Sequence, residues 1–222
     1  MDIPFHDRAE AGRSLAERLR NYARRDDVVI LALPRGGVPV GFEVAKALEA
    51  PLDVFIVRKL GLPGQEELAM GAIASSGGIV LNEDVVAMAH VPRRVIEQVA
   101  AEERQELIRR EREYRGDRPP PDLAGKICIL VDDGLATGAS MKAAAMALRE
   151  REPARVVVAV PVAAASTCVE FRQIVDEVVC AMSPEPFHAV GLWYEDFSQT
   201  SDQEVRELLV KAQQMFPMAS SR

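Results

Sequence analysis

The chain is poor in cysteine, histidine and aromatic residues, and it carries no excess of positive charge. Its three cysteines, Cys128, Cys168 and Cys180, are odd in number and widely spaced, which excludes a disulfide framework and a CxxC zinc pattern. They are expected to be buried and inert. His6, His90 and His188 stand at no ligand spacing, so a structural metal site is not expected. No apolar run approaches the roughly 20 residues of a membrane span. The stretch MDIPFHDRAEAGRSL lacks the apolar centre of a signal peptide, so a cytoplasmic protein without a membrane partner is expected. With 27 Lys and Arg against 34 Asp and Glu, the net charge of −7 provides no global field for nucleic acid, an unfavoured partner. What remains is ordinary: 48% hydrophobic and 27% charged residues in 222, enough for one domain with a full core.

The periodicities describe an α/β chain. Residues 8–25 place Ala11, Leu15, Leu19 and Tyr22 at helical spacing behind Asp7 as N-cap. VVILALP (28–34) is a short, β-branched run of the kind buried on both faces of a parallel sheet. The turn PRGG then opens a helix over 38–48, and LDVFIVRKL (52–60) follows as a strand. LAMGAIAS and GIVLN, joined at Ser76-Gly77-Gly78, read as a hairpin, and a long charged helix is expected over 92–115. Its charges suggest a solvated face, with a subunit contact and a homodimer left open. After the proline-rich connector 116–125 come a strand (126–133), a helix (138–151), a strand (154–163), a helix (166–175) and a strand (177–182). Alternating strands and helices imply crossover connections and a doubly wound, mainly parallel sheet flanked by helices. Ser201 with Glu204 forms a capping box for a last helix.

In such a sheet, ligands bind beyond the carboxyl ends of the strands. Three expected strand ends are rich in chemistry: Pro34-Arg35-Gly36-Gly37, Arg58-Lys59, and Asp132-Asp133-Gly134-Leu135-Ala136-Thr137-Gly138-Ala139-Ser140. The last runs into a helix N-terminus, where free amides and the helix dipole favour a phosphate. Gly138 permits close backbone approach. A Walker loop is excluded because Ala139 stands where that motif needs lysine, and no G-x-G-x-x-G follows a strand. Two adjacent acids at a strand end are costly unless something binds them. They could cap the turn and meet a lysine, or accept the 2′ and 3′ hydroxyls of a ribose whose 5′-phosphate fills the loop.

ILVDDGLATGASM (129–141) resembles the signature by which type I phosphoribosyltransferases bind 5-phosphoribosyl-1-pyrophosphate (PRPP), and PRGG resembles their pyrophosphate loop. The resemblance implies one domain over 1–222, with a core over 28–183, a hairpin and long-helix insertion over 61–125, and a terminal hood over 184–222. It further implies that Asp132 and Asp133 bind the ribose hydroxyls and that Ala136, Thr137, Gly138, Ala139 and Ser140 hold the 5′-phosphate. Arg35, Gly36 and Gly37 would hold pyrophosphate with Lys59 or Arg58. Mg²⁺ is the implied cofactor, near Asp132 and Asp133 through ribose hydroxyls or water. Arg35, Lys59, Asp132 and Asp133 would be the catalytic set. The implied reaction transfers phosphoribose from PRPP to a small-molecule nitrogen acceptor with release of pyrophosphate. The acceptor is expected to be a nucleobase but not a 6-oxopurine, because Ala136 replaces the aspartate that such enzymes carry before T-G. The alternative is a PRPP-sensing regulator on the same fold. Phe187, Trp193, Tyr194 and Phe197 could stack a base or serve as core.

Overall fold

A computed structural model of the chain describes residues 3–75 and 78–218. In chain order, α1 (Arg8–Arg18) leads to β1 (Val28–Ala32), α2 (Gly37–Leu48) and β2 (Leu52–Val54). Next come β3 (Val57–Leu62), β4 (Gln65–Ala74), β5 (Ile79–Leu81), α3 (Glu83–Met88) and α4 (Arg93–Arg115). The chain continues through β6 (Ile127–Val131), α5 (Ala139–Arg149), β7 (Arg155–Val162), α6 (Ala165–Phe171), β8 (Glu177–Met182) and α7 (Asp202–Met215). Five strands form a parallel sheet in the order β2-β1-β6-β7-β8.

Because successive side chains of a strand point to opposite faces, each buried strand feeds two cores. Ile30, Ile129 and Val157 pack against α1, α2, α4 and α7, while Leu31, Leu130 and Val158 pack against α5 and α6. The two central strands β1 and β6 carry no charged residue and are buried at every position. Local signals set the helix starts as expected: Asp7 Oδ1 accepts from the Glu10 N–H at 2.7 Å, and Ser201 Oγ from the Glu204 N–H at 3.1 Å.

Several expectations need correction. The run 52–60 is not one strand: β2 stops at Val54, and β3 leaves for a separate antiparallel sheet, β3-β4-β5. The added sheet therefore begins at Val57 rather than at Gly61. Ser76 and Gly77 of the hairpin turn lie outside the described residues, although β4 and β5 do pair antiparallel. The first helix is shorter than 8–25, giving way to a 3-10 turn at Arg20–Tyr22. Helix α7 packs on the core, with Val205, Leu209 and Ala212 buried beside α2, while its first residue, Asp202, faces Arg35 in the turn after β1.

The long helix α4 is more than a solvated face. Ile96, Ala100, Leu107 and Tyr114 are buried, and its last residue, Arg115, carries a guanidinium 5% exposed. Arg115 Nε donates to Asp53 Oδ2 of β2 at 2.9 Å, and an amino group reaches the Val54 carbonyl at 3.3 Å. This ion pair clamps the end of the added segment to the edge of the parallel sheet.

Candidate active site

The strand order reverses direction between β1 and β6, the kind of switch point beside which open α/β sheets bind ligands. Ala32 is level with Val131, and the Leu33 N–H donates to the Val131 carbonyl at 2.8 Å. The turn 34–37 and the acid pair are therefore brought side by side. The Pro34–Arg35 peptide is cis. Gly37 lies so close to β6 that a Cβ there would fall 2.7 Å from the Val131 carbonyl oxygen, and one on Gly36 would strike the Asp133 carboxylate. Only glycines allow the turn to rest on the acids.

Asp132 and Asp133 follow β6 directly. Asp132 Oδ1 accepts from the Asp133 N–H at 2.9 Å, and Asp133 Oδ2 accepts from Arg8 Nε at 2.9 Å. Among the described residues, the partner shown for the pair is not a lysine but an arginine from α1. Burial, then the neighbouring Asp133 charge, pushes the Asp132 carboxyl well above the usual carboxylate range. Burial raises Asp133 too, opposed by the charge and hydrogen bond of Arg8. Two desolvated carboxyls are thus held together beneath an open turn, an arrangement that favours hydroxyl or cationic ligands.

The loop past the acids leads to α5, with Gly138 as N-cap at φ +69°. A side chain there would be strained by that φ and would put Cβ 2.5 Å from the Phe171 ring. The Thr167 hydroxyl donates to the Ala136 carbonyl at 2.8 Å, fixing the loop from α6. Ala136, Thr137, Ala139 and Ser140 are exposed, so the first turn of α5 presents its free N–H groups to solvent.

A phosphoribosyl transferase domain model matches residues 5–190. The chain belongs to the phosphoribosyl transferase family. It is 48% identical over 217 residues to proteins of Mycobacterium tuberculosis, strains CDC 1551 and H37Rv, that are named as candidate phosphoribosyl transferases. The match covers 98% of this chain and 49% of theirs, so the chain spans about half the length of the curated relatives it matches. The crystal structure of TT1426 from Thermus thermophilus is 42% identical, with a TM-score of 0.84, covering 94% of this chain and 99% of that one.

Within this phosphoribosyl transferase domain, the remaining expected residues divide. Arg35 stands in the turn with its guanidinium 3.8 Å from Asp202 of α7. Arg58 and Lys59 lie on β3, not in a turn after the second strand. Because they alternate across the strand, Arg58 faces α4 and pairs with Glu103 at 2.6 Å. Lys59 lines a groove of about 320 Å³ between the small sheet and α5, a groove shared with Ala139 and Ser140. The structure sets the glycine turn against the acids, which run on into the loop, and places Lys59 beside that loop, while the Arg35 guanidinium is turned towards Asp202. Arg58 is engaged elsewhere.

Two residues escape a reading of the sequence. Arg8 gives no local signal, since an arginine in the first turn of an amphipathic helix reads as solvated. Tyr194 is one of four aromatics that the sequence leaves open between base platform and core. Its ring is buried against Phe5 and Phe197, and its hydroxyl donates to the Asp133 carbonyl oxygen at 2.6 Å. Burial raises the Tyr194 phenol above its ordinary range. Among the described residues, no group of three or more His, Cys, Asp or Glu is placed to hold a metal, and no helix is long and apolar enough to cross a membrane. The cysteines are free; Cys128 and Cys168 are buried, Cys180 only in part, against the expectation for all three, and burial pushes the Cys128 thiol up to about 12.

Proposed function

We propose that this chain binds PRPP and transfers its phosphoribosyl group to a nitrogen nucleophile other than a 6-oxopurine, releasing pyrophosphate. The observation that carries the reading is the contact of the glycine turn with the acid pair at the β1/β6 reversal, one loop away from an exposed helix N-terminus. Asp132 and Asp133 accept the ribose hydroxyls, and residues 136–140 hold the 5′-phosphate with amides and the Thr137 and Ser140 hydroxyls. Arg35 with the backbone of Gly36 and Gly37 receives the pyrophosphate, and Lys59 approaches from β3. Charge grows on the leaving pyrophosphate as the C1 bond breaks, so a positioned Arg35 contributes more in the transition state than in the ground state.

The donor set suits Mg²⁺ held largely by ligand oxygens and water. Two desolvated carboxyls gain from a nearby cation, yet two do not make a protein cage. When bound there, the ion would neutralise charge on pyrophosphate.

Ala136 carries the acceptor preference. Its methyl group can neither give nor take a proton at a purine N7, help that is worth typically 10² to 10⁴ in rate. Incubation with PRPP, Mg²⁺ and a panel of bases and amines, read by pyrophosphate release and mass spectrometry, should yield a phosphoribosyl adduct with an acceptor outside hypoxanthine, guanine and xanthine. Turnover of any of those three at about 1 to 10³ per second, the range usual for enzymes, would overturn the role given to Ala136. Tight PRPP binding without any product would instead favour a sensing protein.

A further inference from the structure

Arg8 is remote in sequence from every motif of the site, yet its guanidinium is enclosed at its centre, with the side chain 11% exposed. Nε donates to Asp133 Oδ2 at 2.9 Å, and an amino group donates to the Ser198 carbonyl at 2.7 Å. Its Cζ lies over two rings, 4.1 Å from the centroid of Phe197 and 5.9 Å from that of Tyr194. Tyr194 grips the backbone of the same aspartate. The segment that supplies these contacts is itself fastened to the residues before α1. The Phe5 N–H donates to the Trp193 carbonyl at 2.9 Å, and the Glu195 N–H to the Phe5 carbonyl at 2.8 Å.

We propose that Arg8 is a positioning residue for ribose recognition, aiming the Asp133 carboxylate and joining it to the 194–198 segment as one unit. The proposal rests on the PRPP reading above. A carboxylate has about four lone-pair sites, so one bond from Arg8 fixes its orientation and leaves acceptor capacity for ribose hydroxyls. The planar fork explains why arginine is required. It spans a side-chain oxygen and a backbone carbonyl while stacking on a ring, which an ammonium group cannot reproduce. An arginine serving the fold alone would have no need to end on the acid that also supports the glycine turn.

A double-mutant cycle on PRPP affinity, measured by calorimetry with Mg²⁺, separates these roles. Arg8→Gln should weaken binding by about tenfold or more, since it removes a charge-assisted contact from the aspartate. Arg8→Lys should fall between it and wild type. In the Asp133→Ala background, Arg8→Gln should change affinity by less than about twofold, because Arg8 acts through that carboxylate. Combined with Thr137→Ala, which touches the phosphate instead, the losses should multiply. Multiplying losses with Asp133→Ala would overturn the proposal, as would sub-additivity with both partners, which marks general weakening. Should Arg8→Gln fail to fold, the same cycle run with Arg8→Lys separates the same outcomes. A second readout needs no ligand: hydrogen exchange of unliganded Arg8→Gln or Arg8→Lys should rise together at 132–136 and 194–198. Unchanged exchange at either segment overturns the link, while failure of the wild type to bind PRPP overturns only the functional reading.

Discussion

At the scale of single residues, the site is recognised by what it costs the fold. A carboxyl whose folded pKa lies above its unfolded value binds its proton more tightly when folded. It therefore costs stability above the ordinary carboxylate range, and the cost vanishes on acidification through that range. Asp132 is such a group. Asp132→Asn should hold or raise the melting temperature at pH 8, show a smaller advantage near pH 4, and still lose PRPP binding. A melting temperature that falls at pH 8 would make Asp132 a structural residue. Arg35 gives the complementary case. Its pairing with Asp202 at 3.8 Å is partly exposed, the kind of contact worth about 0–1 kcal/mol. Arg35→Ala should shift melting by no more than a few degrees, while PRPP affinity drops by about 10- to 150-fold, the equivalent of roughly 1.5–3 kcal/mol. Unfolding of the variant would remove Arg35 from the pyrophosphate site.

At the scale of elements, the Asp53–Arg115 pair decides how the small sheet and α4 attach. Asp53 is raised above its ordinary range by burial, with the Arg115 charge opposing, so the Asp53 charge depends on Arg115, which also meets Glu111 at 3.4 Å. Removing one partner of a buried pair costs about 3–5 kcal/mol, whereas replacing both with apolar residues is often neutral or better. Chemical denaturation should show Arg115→Leu strongly destabilised and Asp53→Leu with Arg115→Leu substantially recovered; equal loss in both would dissolve the clamp. This pair also marks where the sequence stops being legible. The parallel strands are readable because burial on both faces forces continuous apolar runs, and Asp7 and Ser201 announce helix starts through local hydrogen bonds. The segment 129–141 is readable for a similar reason: its strand, acids and helix N-terminus are consecutive. The break between Val54 and Val57 is hidden, because LDVFIVRKL is apolar throughout most of its first part and only pairing partners separate β2 from β3. Arg8 lies 125 residues from Asp133, and no local pattern could join them.

At the scale of the whole molecule, an acidic chain that takes a highly anionic ligand, as proposed, cannot recognise it by net charge. The −7 balance repels PRPP at long range. Beyond a Debye length of about 8 Å at physiological salt that repulsion is largely screened, so on the proposed reading Arg35, Lys59 and the α5 terminus act locally. Candidate site and core are also one object here: the turn, the acids and the loop before α5 all hang from β1, β6 and α5, elements whose other side chains build the interior. A ligand that bridges them should therefore stabilise the entire fold. Binding to the folded state alone contributes about 2.7 kcal/mol at a ligand concentration of 100 Kd. For a chain of this size each kcal/mol moves melting by about 2–4 °C, which gives a rise of roughly 5–11 °C. PRPP with Mg²⁺ should produce that shift in a single sharpened transition. Ribose-5-phosphate at equal concentration should produce a smaller one, since it leaves the Arg35 turn empty, and NAD or S-adenosylmethionine should produce none. A shift with PRPP no larger than with ribose-5-phosphate would mean that the glycine turn contributes nothing to the ligand, and the pyrophosphate site would have to be sought elsewhere on the molecule.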